Sequence, residues 1–282
     1  MLADTLPVYM AAIDDPEFVA FACREGRVDK EWIATSRGEV AEGLSVLSGH
    51  DLSGKRILEV GAGAGLLSIL LHRQGYDVTA LDPSLGGFEA NADFSMAIRK
   101  WFNADDLPFL RIGGADLNVN AHGRFDIIFS VNVLEHIPDL RAAFHGMASV
   151  LSERGQMVHL CPNYTVPYEP HFGLPLVPFF PRALELLRPT LKKDGLWRSL
   201  NFVTCRQIRR YAKECGLSAN FTPAMMRRAF ERLDMDPTYC GRQRGLVTAI
   251  FAILKPIGVL PLIGKLPYQM ATPMLFECHR AA

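Results

Sequence analysis

Five residues in the first third of the chain have types and spacing that suit the binding of a charged, sugar-containing ligand. Glycines occupy positions 61, 63 and 65, Glu59 stands two residues before the first of them, and Asp82 follows 17 residues after the last. Glycines permit a tight turn and a close approach of the backbone to a ligand. A carboxylate such as Asp82 accepts hydrogen bonds, here from the two vicinal hydroxyls of a ribose. The pattern therefore predicts one site for a ribose-containing ligand.

Two predicted strands and a helix position these residues. Residues 56–60 form a short apolar run typical of a buried strand, residues 65–74 are typical of a helix, and residues 77–81 of a second strand. In an open α/β sheet, ligands bind outside the carboxyl ends of the strands. The glycine turn and Asp82 each follow such an end, so we expect them to converge on the same ligand.

A dinucleotide and S-adenosylmethionine both fit such a site, and the spacing separates them. Dinucleotide sites carry G-x-G-x-x-G and bind a pyrophosphate at a helix N-terminus, whereas the sixth position here is Leu66. Glu59 would repel a pyrophosphate but suits a ligand with an ammonium and a sulfonium group. The segment resembles the first motif, E-x-G-x-G-x-G, of the class I S-adenosylmethionine-dependent methyltransferases. The resemblance implies that S-adenosyl-L-methionine is the cofactor.

The resemblance also implies a set of cofactor contacts. Asp116-Leu117 is similar to the third family motif, whose acidic residue faces the adenine amino group; an aspartate in a surface turn is the alternative. Asn132 follows the predicted strand 125–131 and, by resemblance, lies beside the methionine part of the cofactor. The cofactor-binding residues that the resemblance implies are Glu59, Gly61, Ala62, Gly63, Gly65, Asp82, Pro83, Asp116, Leu117 and Asn132.

The residues after Asn132 resemble the fourth motif of the branch that includes the ubiquinone and menaquinone biosynthesis methyltransferases. In that resemblance Glu135 and His136 lie on the substrate side. Some quinone O-methyltransferases have another glutamate where Asn132 stands, and they hold a divalent metal with that group. Because this chain has an amide at that position, we expect no metal site.

A second polar stretch, residues 161–173, follows the predicted strand 155–161 and contains Glu169 and His171 among prolines and tyrosines. A hydroxyl acceptor needs a base, and a histidine with a pKa near neutrality suits that role. The hypothesis is that His136 or His171 is the base, oriented by Glu135 or Glu169. The alternatives are a structural role for His136 and a rigid connection for the stretch.

Strands and helices alternate along most of the chain, which predicts an α/β protein. We expect a doubly wound, seven-stranded Rossmann-like sheet, with a last strand that the resemblance makes antiparallel. Residues 1–50 predict a helical N-terminal extension near the cofactor mouth, and residues 51–282 a methyltransferase domain with insertions 163–203 and 224–270 that cover the substrate. The remaining predicted elements are helices at 86–102, 139–151 and 205–215 and strands at 109–112, 218–221 and 273–279.

The insertion 224–270 begins as a basic amphipathic helix and continues as an apolar stretch, 246–254. The chain has 14 basic and 6 acidic residues between Arg182 and Arg244, although its net charge is zero. A membrane-spanning helix needs about 20 apolar residues, so the apolar stretch is too short for one. It is either a lid that packs on the core or a segment in a membrane interface, aided by the basic residues.

The composition and the N-terminal residues narrow the possible binding partners and the expected cellular location. Hydrophobic residues make up 49% and charged residues 21% of the chain, as in ordinary globular proteins. Zero net charge argues against a dedicated nucleic-acid binder, so we expect no nucleic-acid partner. The N-terminus lacks the pattern of a signal peptide. We therefore expect a cytoplasmic protein, with peripheral contact at the inner face of the membrane through 224–270 as an extension of that prediction.

The combined prediction is a methyltransferase that methylates an oxygen atom of a hydrophobic or lipid-linked small molecule. A soluble small-metabolite methyltransferase is one alternative, and a non-catalytic S-adenosylmethionine-binding protein is another. A nicotinamide-dependent oxidoreductase is a third. The acceptor, the methylated atom and the oligomeric state stay open at this point.

Overall fold

The computed structural model of the protein describes residues 2–83, 91–235, 240, 246–256 and 258–280. The chain divides into two compact units. The first unit comprises Met1–Val133, Asp139–His159 and His279–Ala282, and the second comprises Leu134–Pro138 and Leu160–Cys278. The predicted boundary at residue 50 and the roles of the two insertions stay predictions.

One seven-stranded sheet runs through the protein in the order β3-β2-β1-β4-β5-β9-β8, and β6 pairs with β7 in a separate antiparallel ribbon. β1 pairs in parallel with β2 and β4, β2 pairs in parallel with β3, and the last strands are antiparallel. This confirms the predicted Rossmann-like α/β sheet. The strands are β1 (Arg56–Val60), β2 (Asp77–Leu81), β3 (Phe109–Leu110), β4 (Phe125–Val131), β5 (Leu151–Cys161), β6 (Tyr168–Glu169), β7 (Leu174–Pro175), β8 (Leu217–Phe221) and β9 (Met274–Arg280).

The register of the central strands places the two predicted ligand contacts, the glycine turn and Asp82, at the same level along the strands. Val60 at the end of β1 pairs with Leu81 at the end of β2. Gly61 and Asp82 are the next residues of their strands, so they leave the sheet side by side. Three of the five residues of β1 and five of the seven of β4 are buried, as expected of parallel strands that are covered on both faces.

The helices of the first unit include the predicted N-terminal extension. Asp29 begins α3 by accepting a hydrogen bond from the backbone N–H of Trp32, and Asp139 begins α7 through Ala142. The helices are α1 (Leu2–Asp14), α2 (Pro16–Glu25), α3 (Lys30–Leu47), α4 (Leu66–Arg73), α5 (Asn91–Phe102), α6 (Val119–His122) and α7 (Leu140–Ser149).

The second unit contains shorter helices and its own apolar core. Thr204 and Gln207 form a reciprocal capping box at the start of α10. None of the described helices is long and apolar enough to cross a membrane. The helices are α8 (Leu184–Leu187), α9 (Gly195–Ser199), α10 (Cys205–Glu214), α11 (Met225–Met235), α12 (Leu246–Leu254) and α13 (Leu260–Ile263).

Some predicted bounds differ from the structure. β5 begins at Leu151 rather than at residue 155, and α7 accordingly ends at Ser149. A Cβ atom at Gly155 would lie 3.0 Å from the backbone oxygen of Phe125, so this glycine marks a close approach inside the strand rather than its beginning. The strand expected at 109–112 covers only Phe109–Leu110. The first residues of the helix predicted at 86–102 lie outside the described residues.

Candidate functional site

The turn after β1 is held against the end of β2 by backbone hydrogen bonds. The N–H groups of Gly61 and Ala62 both donate to the carbonyl oxygen of Leu81, at 2.7 and 3.0 Å. Gly61 has φ +71°, and a Cβ atom there would lie 2.4 Å from the side chain of Val133. Glycine is therefore required at position 61 for two reasons, its backbone conformation and the lack of space.

Asp82 is tied to the same turn. The N–H of Gly63 donates to Asp82 Oδ2 at 2.7 Å, and the side chain is nearly buried. This bond orients the carboxylate at the carboxyl end of β2, where the ribose of the predicted cofactor is expected. Pro83 is the next residue and is the last one described before residue 91.

Glu59 lines a cleft beside this turn. Ser68 on α4 donates to Glu59 Oε2 at 2.5 Å. Burial raises the pKa of the Glu59 carboxyl to about 7 against the effect of the Ser68 hydrogen bond, and the nearby Glu39 and Asp82 add to the increase. A positively charged ligand in the cleft would favour the ionised form of this carboxyl.

The cleft has an empty volume of about 450 Å³, which includes open solvent at its mouth. Three of the lining residues belong to α3, which puts the predicted N-terminal extension at this cleft. The contribution of α3 is a hydroxyl, a carboxylate and an apolar side chain. The lining residues are Ser36, Glu39, Val40, Glu59, Gly61, Ala62, Ala64, Leu66, Leu67 and Val131.

Two contacts fix α3 in this position. A Cβ atom at Gly43 would lie 2.3 Å from Leu67 Cδ2, so α3 packs very closely on α4 at this glycine. Asn132, which the resemblance assigns to the cofactor, donates from Nδ2 to Glu42 Oε2 at 2.8 Å and has φ +54°. α3 therefore holds both the helix after the glycine turn and the residue after β4.

The third motif, Asp116-Leu117, is not among the residues that line the cleft. Asp116 lies in the short 3-10 turn Gly114–Asp116, is exposed, and accepts a hydrogen bond from the N–H of Gly113 at 3.2 Å. These contacts agree with the alternative of a surface-turn aspartate, while Leu117 beside it is buried. Adenine recognition by Asp116 stays a prediction.

Glu169 is the centre of a polar cluster in the second unit. It is fully buried and accepts hydrogen bonds from His171 Nδ1 at 2.6 Å, from the N–H of Phe172 at 2.7 Å and from Tyr164 Oη at 3.2 Å. Burial and the nearby Glu169 raise the pKa of the Tyr164 hydroxyl far above its ordinary value, so this group stays a donor. The predicted Glu169–His171 pairing is present in the structure.

His136 lies beside His171, with 5.2 Å between the ring centroids. Its Nδ1 and the hydroxyl of Ser199 are 2.8 Å apart. Burial, together with the nearby His171, lowers the pKa of His136 to about 3. This histidine is therefore neutral over the physiological range, contrary to the near-neutral pKa that the sequence hypothesis assumed for a base.

Asn201 organises the turn that carries Glu135 and His136. Its Nδ2 donates to the carbonyl oxygens of Leu134 and Ile137 at 2.6 and 2.9 Å, and its N–H donates to the carbonyl oxygen of Glu135 at 2.8 Å. Sequence reasoning missed Asn201 and Ser199, because nothing in their spacing links them to residues more than 60 positions earlier.

Glu135, His136 and His171 offer potential metal-ligating atoms that all lie within 4.8 Å of one another. Imidazole and carboxylate groups in this combination suit a divalent transition metal. The third residue of the group, His171, belongs to the polar stretch 161–173, which lies outside the fourth family motif. The expectation that the protein uses no metal stays a prediction.

Comparison with known proteins identifies the family. A family model described as a methyltransferase domain (Methyltransf_23) matches residues 32–220, more than half of the chain. The chain belongs to this methyltransferase family. The resemblance to the class I S-adenosylmethionine-dependent methyltransferases is thereby confirmed, and S-adenosyl-L-methionine is the cofactor.

Relatives of this methyltransferase cover different shares of it. The uncharacterized protein Rv1509 of Mycobacterium tuberculosis (strain ATCC 25618 / H37Rv) is 31% identical over 86% of this chain and 81% of its own length. A ubiquinone biosynthesis O-methyltransferase of Psychrobacter cryohalolentis is 30% identical over 45% of this chain and 49% of its own length. Phosphoethanolamine N-methyltransferase 2 of Haemonchus contortus, solved with S-adenosyl-L-methionine, shares the fold: the TM-score is 0.50 at 14% identity, covering 93% of this chain and 58% of that chain.

Proposed function

We propose that this methyltransferase transfers the methyl group of S-adenosyl-L-methionine to a hydroxyl oxygen of a hydrophobic or lipid-linked small molecule. The observation that carries the proposal is the hydrogen bond between the buried carboxylate of Glu169 and the solvent-accessible imidazole of His171, an arrangement that suits proton removal from a hydroxyl. The partial similarity to ubiquinone biosynthesis O-methyltransferases supports oxygen as the methylated atom.

The reaction is an in-line displacement at the sulfonium methyl. A lone pair of the acceptor oxygen forms the new C–O bond, the S–CH₃ bond breaks, and its electron pair stays on sulfur to give S-adenosylhomocysteine. The hydroxyl proton passes to the base. Holding the two reactants at near-attack distance supplies much of the acceleration, and proton removal adds about 10²–10⁴-fold.

His171 is the better base of the two histidines. Its Nδ1 is held by a buried carboxylate, which orients the ring and stabilises the imidazolium that forms. Its side chain is 25% exposed, against 11% for His136. Protonation of His136 is opposed by its burial and by the neighbouring imidazole, so we assign it a positioning role, and Glu135 likewise.

The apolar stretch 246–254 supports a hydrophobic acceptor. α12 contains only one polar residue, Thr248, and the side chains of Ile250 and Ile253 are exposed. Membrane contact through 224–270, as the sequence predicts, belongs to the same proposal. With a soluble metabolite as acceptor, these side chains would instead cover the bound substrate.

Cofactor carrying an isotopically labelled methyl group, incubated with a membrane lipid extract and with an aqueous metabolite extract, tests the proposal. We expect labelled product in the lipid extract, and the carbon shift of the label by NMR distinguishes a methyl ether from an N-methyl group. Label only in the aqueous extract would overturn the lipid-linked acceptor.

The base is tested by His171→Ala and Glu169→Gln, with His145→Ala on α7 as the matched control. We expect turnover to fall by about 10²–10³-fold in the first two variants while the affinity for S-adenosylhomocysteine is unchanged. The control should keep full turnover. Full turnover of His171→Ala would rule out this base.

A further inference from the structure

The second unit exposes a run of large apolar side chains between residues 177 and 187. Of the exposed large hydrophobic side chains in the described part of the chain, almost half belong to this run. Phe179 is 93% exposed, Phe180 is 69% exposed, and Leu186 and Leu187 are each 77% exposed. Exposed apolar groups are normal when scattered, but a contiguous set marks an interaction site.

These side chains are not part of an unfinished core, because the segment already has one. Leu176 and Leu184 from the same segment pack with Leu191, Trp197 and Leu200 in a buried cluster. In α8, Leu184 faces that cluster whereas Leu186 and Leu187 face solvent. The outward residues are additional to what the segment needs in order to fold.

The backbone conformation of Phe179 supports a functional role. Its φ is +65°, in the left-handed region that bulky residues avoid, and the N–H of Phe180 closes the turn on the carbonyl oxygen of Val177 at 3.1 Å. A turn of this shape costs about 1–2 kcal/mol with a non-glycine residue. Here it presents two aromatic rings to solvent rather than burying them, and such strain is concentrated at functional sites.

Basic side chains surround the apolar run. The basic residues of the segment are all exposed: Arg182, Arg188, Lys192, Lys193 and Arg198. The two acidic residues nearby have structural roles. Glu185 accepts hydrogen bonds from Arg182 and from Trp197 Nε1, and Asp194 caps α9 through the N–H of Trp197. The segment therefore presents excess positive charge beside its apolar side chains.

We propose that residues 177–193 dock this protein on the surface of an anionic lipid bilayer. Segments that lie in a membrane interface combine Phe and Leu, which enter the apolar layer, with Lys and Arg beside them. Each basic residue near an anionic surface adds attraction to that surface. Protein–protein interfaces are depleted in lysine, which argues against a protein partner at a patch that contains Lys192 and Lys193. The proposal is independent of the acceptor's identity, and it names a surface distinct from 224–270.

Sedimentation with vesicles tests this surface. The protein is mixed at low salt with vesicles of phosphatidylcholine alone and of phosphatidylcholine with phosphatidylglycerol. We expect binding to the anionic vesicles, weakened by salt, and at least about tenfold less binding for the combined variant F179A/F180A/L186A/L187A. K192E/K193E should also bind more weakly. The matched control is V8A/M96A, which removes exposed apolar side chains from α1 and α5 and should bind like the unchanged protein.

Three outcomes would overturn the proposal. The first is equal binding by the fourfold apolar variant and the unchanged protein. The second is loss of binding only in I250A/I253A/L262A, which removes exposed apolar side chains from α12 and α13 and would assign the contact to 224–270 instead. The third is that the unchanged protein is a dimer and the fourfold variant a monomer in size-exclusion chromatography with light scattering, because a second copy would then occupy the patch. An unchanged circular dichroism spectrum and thermal unfolding midpoint show that each variant is folded, and failure to find an acceptor does not affect any of these readouts.

Discussion

The cofactor cleft and the Glu169 cluster differ in how far apart along the chain their residues lie. The cleft takes most of its lining from residues 59–67, which one strand, one turn and one helix bring together. The Glu169 cluster needs residues 134–138, 164–172 and 199–201. The first arrangement follows from local backbone geometry, and the second depends on packing between distant segments. The difference teaches that the cleft depends mainly on the backbone of one short segment, whereas the Glu169 cluster depends on hydrogen bonds between remote residues.

The largest expected effect is on the glycine turn. Gly61→Ala places a methyl group against Val133 at a positive φ, so we expect the affinity for S-adenosylhomocysteine to fall by more than about 100-fold. Gly75→Ala is the matched control, because Gly75 also has positive φ (+85°) but a Cβ atom there meets nothing within 4 Å. Titration calorimetry measures both variants. Equal losses would show that the backbone conformation, not the lack of space, decides.

The next effect concerns the distant cluster. Asn201→Ala removes the side-chain donor to the carbonyl oxygens of Leu134 and Ile137, and we expect the free energy of unfolding to fall by about 2–3 kcal/mol. Asn220→Ala, at an exposed position of β8, should change it by less than about 0.5 kcal/mol. Thermal unfolding measures stability, and calorimetry should show unchanged cofactor affinity. A large loss of cofactor affinity in Asn201→Ala would break the distinction between the two regions.

A smaller effect follows from the pKa of Glu59, which is about 7 before the cofactor binds. The positively charged cofactor favours the ionised carboxyl, so its binding lowers this pKa and releases a proton below pH 7. Affinity should therefore rise with pH, by up to about tenfold per unit below pH 7, and level off above it. The groups that act on Glu59 are Ser68, Glu39 and Asp82. Calorimetry at several pH values measures the slope, which Glu59→Gln should abolish; a slope that persists in this variant would assign it to another group.

The smallest effect is expected at the mouth of the cleft. Glu39 is exposed, so its attraction to the ammonium group of the cofactor is screened by water, and Glu39→Gln should weaken binding by about 2–5-fold. Glu31→Gln on the same helix, away from the lining residues, is the control. 5′-Methylthioadenosine lacks the ammonium group and should bind both variants equally. If Glu39→Gln weakens its binding too, the glutamate acts on another part of the cofactor.

The motif of the first unit was predictable because strand, turn and carboxylate follow one another in the sequence. The predicted bounds of β1, β2 and β4 match the structure, and Glu59, Gly61 and Ala62 line the cleft. Glu39 was not singled out, although the extension that carries it was expected near the cofactor. Its place depends on how α3 packs on α4, and no spacing within α3 reveals that.

The Glu169 cluster was predictable only in its residue types and in the pairing of Glu169 with His171. Glu169 and His171 are two positions apart, so their pairing follows from local geometry, whereas Ser199 and Asn201 have no such link to His136. The low pKa of His136 depends on burial, which the polar sequence around it does not indicate. The exposed apolar run at 177–187 was likewise hidden, because Leu184 and its neighbours have the same residue type and differ only in the direction they face.

The close approach of Gly43 to Leu67 has an evolutionary consequence. A side chain at position 43 would need the space that the leucine methyl group occupies. Relatives with alanine or serine at the first position should therefore carry a smaller residue than leucine at the second, and substitutions at the two positions should be correlated across the lineage. Such paired changes would show that α3 has stayed packed on α4 while the exposed face of α3 diverged.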